Sequence, residues 1–209
     1  MEARIAAACA RAGRARADVT LVAVSKTFPA ADVDHAIAAG MTDIGENKVQ
    51  ETRDKKPLVT RDAHWHLIGH LQSNKAKDAV RLYDVIQTVD SIELAEKIAK
   101  AAESTGKRQD VLLQVNIGRE LQKSGIEPES VSELARRIAA MPALRLTGLM
   151  AIPPAGEAEE MRPYFRELRT MRDDLGLAEL SMGMTDDFEI AIEEGATIIR
   201  VGRAIFGRR

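Results

Sequence analysis

A single cysteine, Cys9, in 209 residues excludes an intramolecular disulfide and fits a reducing compartment. Aromatic residues make up only 3% of the chain, so its core must be built from Ala, Val, Ile, Leu and Met. Neither sign of charge dominates: 30 Lys and Arg face 32 Asp and Glu, for a net charge of −2. That balance lacks the basic footprint of a nucleic-acid binder. No apolar run approaches the ~20 residues of a membrane span, and no signal-peptide pattern precedes the first charged helix. A cytoplasmic address without membrane attachment is expected. The remaining composition is that of an ordinary globular chain, and its length suits one domain.

The apolar residues fall into eight short runs. Leu21-Val22-Ala23-Val24 is the first, and the others lie at 42–47, 64–69, 85–89, 111–116, 144–152, 180–184 and 198–202. Runs this short and this apolar read as strands buried on both faces. Helical patterns precede and separate them, at 1–17, 30–39, 48–56, 73–80, 92–106, 128–140, 157–175 and 186–194. Gly40, Pro57, Gly106 and Gly195 act as stops, and Ser73 and Asp90 or Ser91 as caps. Strict alternation implies parallel strands joined by right-handed crossovers. Eight such units predict a closed (β/α)8 barrel, one domain over 1–209, with an extra N-terminal helix. An open doubly wound sheet is the alternative.

In such a barrel the carboxyl ends of the strands share one mouth. Lys26 ends the first strand, where burial can turn an ammonium into a neutral amine able to attack a carbonyl. Ser181-Met182-Gly183-Met184-Thr185 follows strand seven, and Arg200-Val201-Gly202-Arg203-Ala204 closes strand eight. Loops after strands seven and eight are the usual phosphate site of a barrel. A lysine facing a phosphate clamp suits either a sugar-phosphate aldolase or a pyridoxal phosphate protein. His64 and His66 share a strand face at a metal-ligating spacing, but nothing else in the sequence completes a ligand set, so no metal is expected. Met182 and Met184 read as barrel filling, and Glu46 and Asn47 as mouth residues or a helix cap. Arg4, Arg11, Arg14 and Arg16 read as a solvated helix face.

Val24-Ser25-Lys26-Thr27, Gly45-Glu46-Asn47, His66-Leu67-Ile68-Gly69, Gly148-Leu149-Met150, Ser181-Met182-Gly183-Met184 and Arg200-Val201-Gly202 occur in this order. With Leu71-Gln72-Ser73-Asn74-Lys75 they resemble the signatures of the YggS/PROSC family of pyridoxal phosphate homeostasis proteins. The resemblance implies the barrel of bacterial alanine racemase without that enzyme's second domain. It further implies a Schiff base between Lys26 and pyridoxal 5'-phosphate, with Asn47 near the cofactor. Ser181, Gly183, Gly202 and the amides of Arg203 and Ala204 would hold the phosphate, and Arg200 would face the pyridine nitrogen. Many relatives carry Ser or Thr where this chain has Arg203, so the role of that side chain is open.

The implied role is homeostasis of the cofactor and of linked amino- and keto-acid pools, as a monomer or weak dimer. Amino acids and apo-enzymes that need the cofactor are the expected partners. A two-base racemase needs an acid/base opposite the lysine. Tyr83 and Tyr164 fall in or beside predicted helices away from the mouth, which favours a carrier. A small racemase using Lys26 with water or His70, and a cofactor-free aldolase, are the alternatives.

Overall fold

Strands β1 (Thr20–Val24), β2 (Asp43–Glu46), β3 (His64–Leu67) and β4 (Val85–Val89) pair in chain order. They continue into β5 (Gln109–Val115), β6 (Leu144–Ala151), β7 (Glu179–Ser181) and β8 (Ile198–Val201), and β8 returns to β1. Every pairing is parallel, which gives the closed eight-stranded barrel expected from the alternation. The structure is a computed structural model that describes residues 1–207. The helices are α1 (Glu2–Arg11), α2 (Ala30–Ala38), α3 (Val49–Lys55), α4 (Ala76–Leu82), α5 (Ile92–Ser104), α6 (Val131–Ala139), α7 (Arg162–Asp174), α8 (Phe188–Glu193) and α9 (Arg203–Phe206).

Successive side chains of a strand point to opposite faces, so each strand serves two layers. Leu21, Ala23, Ile44, Leu67, Ile86, Leu113, Leu180 and Ile199 point outward into one continuous core under the helices. Val22, Val85, Leu112, Met150 and Ile198 point inward and form a separate apolar layer across the barrel. Burying each such side chain contributes about 1.5–3 kcal/mol. The same alternation sends Lys26 and Asn47 inward, and Ser25 and Glu46 outward.

Several elements differ from the sequence expectation. α1 stops at Arg11 because Gly13 adopts φ 65° and the Arg14 amide donates back to the Cys9 carbonyl at 2.9 Å, a Schellman-type ending. Arg4 and Arg11 stay about half exposed, as a solvated face would, but each of these arginines is also paired. Arg4 donates to Glu189 and Arg11 to Glu193, while Arg14 reaches the carbonyls of Ile192 and Ala196. Arg4 and Arg11 therefore strap α1 to α8, Arg14 ties the turn after α1 to α8 and the turn beyond it, and Arg16 pairs with Glu2. Ser73 does not cap α4, which starts at Ala76 after a 3-10 turn, whereas Ser91 accepts the Leu94 amide at the start of α5.

β7 ends at Ser181, short of Met184, because Gly183 turns the chain at φ 91°. A Cβ there would lie 2.5 Å from that of Ala191, so α8 also packs too closely for any other residue. Met182 fills the outer core. Met184 does not; it is partly exposed and borders the mouth.

Candidate functional site

At the carboxyl ends of the strands lies a cavity of about 230 Å³. Lys26, Asn47, Arg200, Gly202 and Arg203 line it together, with Thr185 and Asp186 from the turn after β7. Val24, Phe28, Ile68, Ile152 and Met184 supply apolar walls. Phe28 stacks on Phe206 with ring centroids 5.1 Å apart, which joins the loop after β1 to α9 at the rim.

The chain leaves β1 abruptly. Thr27, next to Lys26, sits at φ 70°, a conformation that costs a β-branched residue about 1–3 kcal/mol. Its amide is held by the Glu51 carboxylate of α3. Behind it, the Lys55 ammonium donates to Glu46 Oε1 at 2.6 Å, to the Ser25 carbonyl at 2.8 Å and to Glu51 at 3.0 Å. The Ser25 hydroxyl also donates to Glu46 Oε1, at 2.6 Å. Burial pushes the Glu46 carboxyl up, against the pull of Lys55 and Ser25. Glu46 is therefore neither a mouth residue nor a cap. It is the outward-facing half of a buried ion pair that ties β1, β2 and α3 together behind Lys26.

Asn47, one residue on, faces the cavity, and its Oδ1 is buried without a hydrogen-bond partner among the described residues. Gly69 makes room for it: a Cβ at Gly69 would come within 2.3 Å of the Asn47 carbonyl oxygen.

Arg200 is buried at the cavity floor. Its guanidinium donates to Ser181 Oγ at 2.7 Å and to the Ala151 carbonyl at 2.9 Å. Burial pulls its pKa down to about 10, opposed by Asp187, so it stays a cation and a donor near neutral pH. Ser181 is fully buried, and its hydroxyl donates on to Gln87 Oε1 at 2.5 Å. The Gln87 amide donates in turn to His66 Nδ1 at 2.9 Å. Ser181 thus lies under Arg200 and orients it, outside the cavity lining.

Gly183 stands behind the turn and is likewise absent from the lining, and Ala204 borders a different depression beside α2. The Ile205 and Phe206 amides donate to the Gly202 carbonyl, which leaves those of Arg203 and Ala204 as the open donors of a helix start. The Arg203 side chain swings to the rim and pairs with Asp186. Asn116, at the end of the fifth apolar run, holds its own loop by donating to the Glu120 carbonyl and to Glu127. His70 is more than half exposed, beside Asp90. Tyr83 is buried against Thr52, and Tyr164 packs on the outer core. Neither tyrosine lines the mouth.

Among the lining residues, Ile68 appeared in the sequence only inside a longer motif, and the apolar walls Phe28 and Ile152 gave no sign there. Nor did Gln87, whose role under Ser181 depends on two strands far apart in the chain.

A closed parallel barrel with an inward lysine at the end of β1 and a buried arginine at the end of β8 defines the class: (β/α)8 barrels with an amine and a guanidinium on one mouth. Comparison with known proteins places the chain within that class. Residues 1–209 match the sequence profile of the family "Alanine racemase, N-terminal domain". The pyridoxal phosphate homeostasis protein of Aquifex aeolicus is 44% identical over 99% of this chain and 94% of its own length. That of Pseudomonas aeruginosa is 44% identical over 99% and 92%. PipY of Synechococcus elongatus, solved with PLP bound, superposes with a TM-score of 0.86 at 38% identity, over 97% of this chain and all of PipY. The chain belongs to the alanine racemase N-terminal domain family and, within it, to the pyridoxal phosphate homeostasis proteins.

Proposed function

We propose that this chain binds pyridoxal 5'-phosphate at the barrel mouth, anchored covalently on the Lys26 amine, and serves intracellular homeostasis of that cofactor. The observation that carries this is the placement of Lys26 and the buried Arg200 on one cavity, beside the start of α9. The residues fit the group. The partnerless Asn47 Oδ1 is an acceptor for a ring hydroxyl, and the Arg203 and Ala204 amides are donors for a phosphate. When bound, the cofactor supplies an aldehyde that condenses reversibly with amines.

Arg200 does the remaining electronic work. A guanidinium only donates, so a ring nitrogen facing it is kept as an acceptor, without the proton that makes a pyridine a strong electron sink. Ser181 and the Ala151 carbonyl fix that guanidinium from below. Both tyrosines are engaged away from the mouth, so no side chain of that type stands opposite Lys26 as a second acid/base. Storage and transfer of the cofactor, to amino acids or to apo-enzymes that require it, is the role this arrangement supports. Among the described residues no helix is long and apolar enough to cross a membrane, and we place the protein in the cytoplasm.

The test is to incubate purified protein with pyridoxal phosphate, reduce with borohydride and map the adduct by mass spectrometry. A visible absorption band and one adduct on the Lys26 peptide are expected, both missing in Lys26→Ala. An adduct that persists in that variant, or no adduct in the wild type, would overturn the proposal.

A further inference from the structure

The opposite end of the barrel carries a second constellation. The strand register sets Asp43 of β2 directly beside His64 of β3, and His66 follows two residues later on the same inward face. Asp43 Oδ1 lies 3.2 Å from His64 Nδ1 and 3.0 Å from His66 Nε2, and the two ring nitrogens are 3.1 Å apart. The three atoms border a cavity of about 510 Å³ at the amino-terminal ends of the strands, more than twice the volume at the mouth.

Two imidazole nitrogens and a carboxylate oxygen in an equilateral triangle are an unusual way to satisfy three polar groups. As a hydrogen-bonded set, Asp43 Oδ1 can accept from both rings, but the two ring nitrogens then face each other at 3.1 Å with no hydrogen along that side. As a ligand set the spacing is natural. Ligands about 2.0–2.1 Å from a tetrahedral zinc ion stand about 3.3 Å from one another. Three protein ligands leave the fourth position open, and all three residues line the cavity.

Two of the donors also have the outer partners that hold metal ligands in place. Thr42 Oγ1 donates to Asp43 Oδ2 at 2.7 Å, which turns Oδ1 toward the histidines. Gln87 contacts His66 Nδ1 at 2.9 Å, which aims Nε2 at the same point. His66 is buried and His64 half exposed, so the site has a fixed side and an accessible side.

We propose that Asp43, His64 and His66 bind one divalent transition-metal ion of the zinc type at this end of the barrel. Ligation through His66 Nε2 puts the ring hydrogen on Nδ1. Gln87 must then present its oxygen there, with the carboxamide turned over and its nitrogen donating to Ser181 Oγ. Ser181 accepts from both Arg200 and Gln87 in that state, and its own hydrogen is released from the Gln87 contact. Metal occupancy at one end therefore reverses the hydrogen-bonded row that ends under Arg200 at the other.

The experiment uses chelator-treated full-length protein without pyridoxal phosphate, titrated with zinc by calorimetry and with cobalt(II) by visible spectroscopy. One zinc per chain and an intense tetrahedral cobalt spectrum are expected. Asp43→Asn, His64→Gln and His66→Gln should each weaken zinc binding about tenfold or more. His64 is the half-exposed member, so His64→Gln reads the site even where a buried replacement unfolds. Gln87→Glu, which offers a carboxylate to the Nδ1 hydrogen, should tighten binding. Zinc uptake unchanged in all three ligand variants, no uptake with zinc in excess, or weaker binding in Gln87→Glu would overturn the proposal.

Discussion

The two ends of this barrel are built from the same inward-facing strand positions yet collect opposite chemistry. At the carboxyl ends stand Lys26, Arg200 and Arg203 with open amides, an arrangement for an anion that carries a carbonyl. At the amino ends stands Asp43 with two imidazoles, beside Glu179 and an Asp110 already paired with Arg145, so the groups left for a cation are Asp43 and the histidines. Between them lies the apolar layer of Val22, Val85, Leu112, Met150 and Ile198, crossed by one polar row from Arg200 through Ser181 and Gln87 to His66. A barrel interior is thus a scaffold with two faces, and side-chain alternation alone does not say which chemistry each will hold.

The largest effect expected is at the mouth: Lys26→Ala should abolish borohydride-fixed loading, while His64→Gln at the far end should retain it. Equal loss in both, read by intact mass, would mean that the ends are not separate sites.

Next comes the buried pair behind the lysine. Lys55→Met leaves Glu46 buried with its charge unopposed and should cost about 3–5 kcal/mol, whereas the double variant Glu46→Leu/Lys55→Met should recover most of that. Urea unfolding of the singles and the double measures it, and additive losses would refute the pairing.

Gln87→Leu cuts the row between the ends and strands the Ser181 hydroxyl and the His66 ring, at about 1–3 kcal/mol of stability. It should also weaken pyridoxal phosphate binding, because Arg200 loses its lower support. Unaltered cofactor affinity would show that the row does not reach the mouth.

The smallest effect lies on the outer shell, where Glu194 receives Arg162 and Arg166. Burial raises its carboxyl, but these arginines outweigh burial and hold its pKa below the ordinary value. Its contribution is full above the unfolded carboxyl value of about 4.3 and fades as pH falls through the lower folded value. Wild-type stability should therefore drop more steeply than that of Glu194→Gln between about pH 5 and 3. Parallel curves would remove the carboxylate from the account.

The barrel was legible because each strand is a run of apolar residues too short for a helix and because helices and strands alternate strictly. Lys26 was legible as a charge at the end of such a run. Glu46 and Asn47 were not separable, since adjacent residues point to opposite faces and the strand's end sets the phase. Ser181 reads in the sequence as a phosphate hydroxyl, and its place under Arg200 was not legible, because its depth depends on where β7 stops, which Gly183 decides. The His64/His66 pair was visible as a spacing, but its third member was not. Asp43 lies 21 residues before His64, and only the pairing of β2 with β3 brings it alongside.

The row from Arg200 to His66 also limits how this chain can change over generations. A guanidinium cannot accept a hydrogen bond, so the Arg200 end is always a donor to Ser181, and the links through Gln87 to His66 must run in one sense together, whichever it is. A chain that exchanged Ser181 for alanine would strand a buried cation unless position 200 or 87 changed as well. These positions should be inherited as a set, and lineages that lose one are expected to have rebuilt the others.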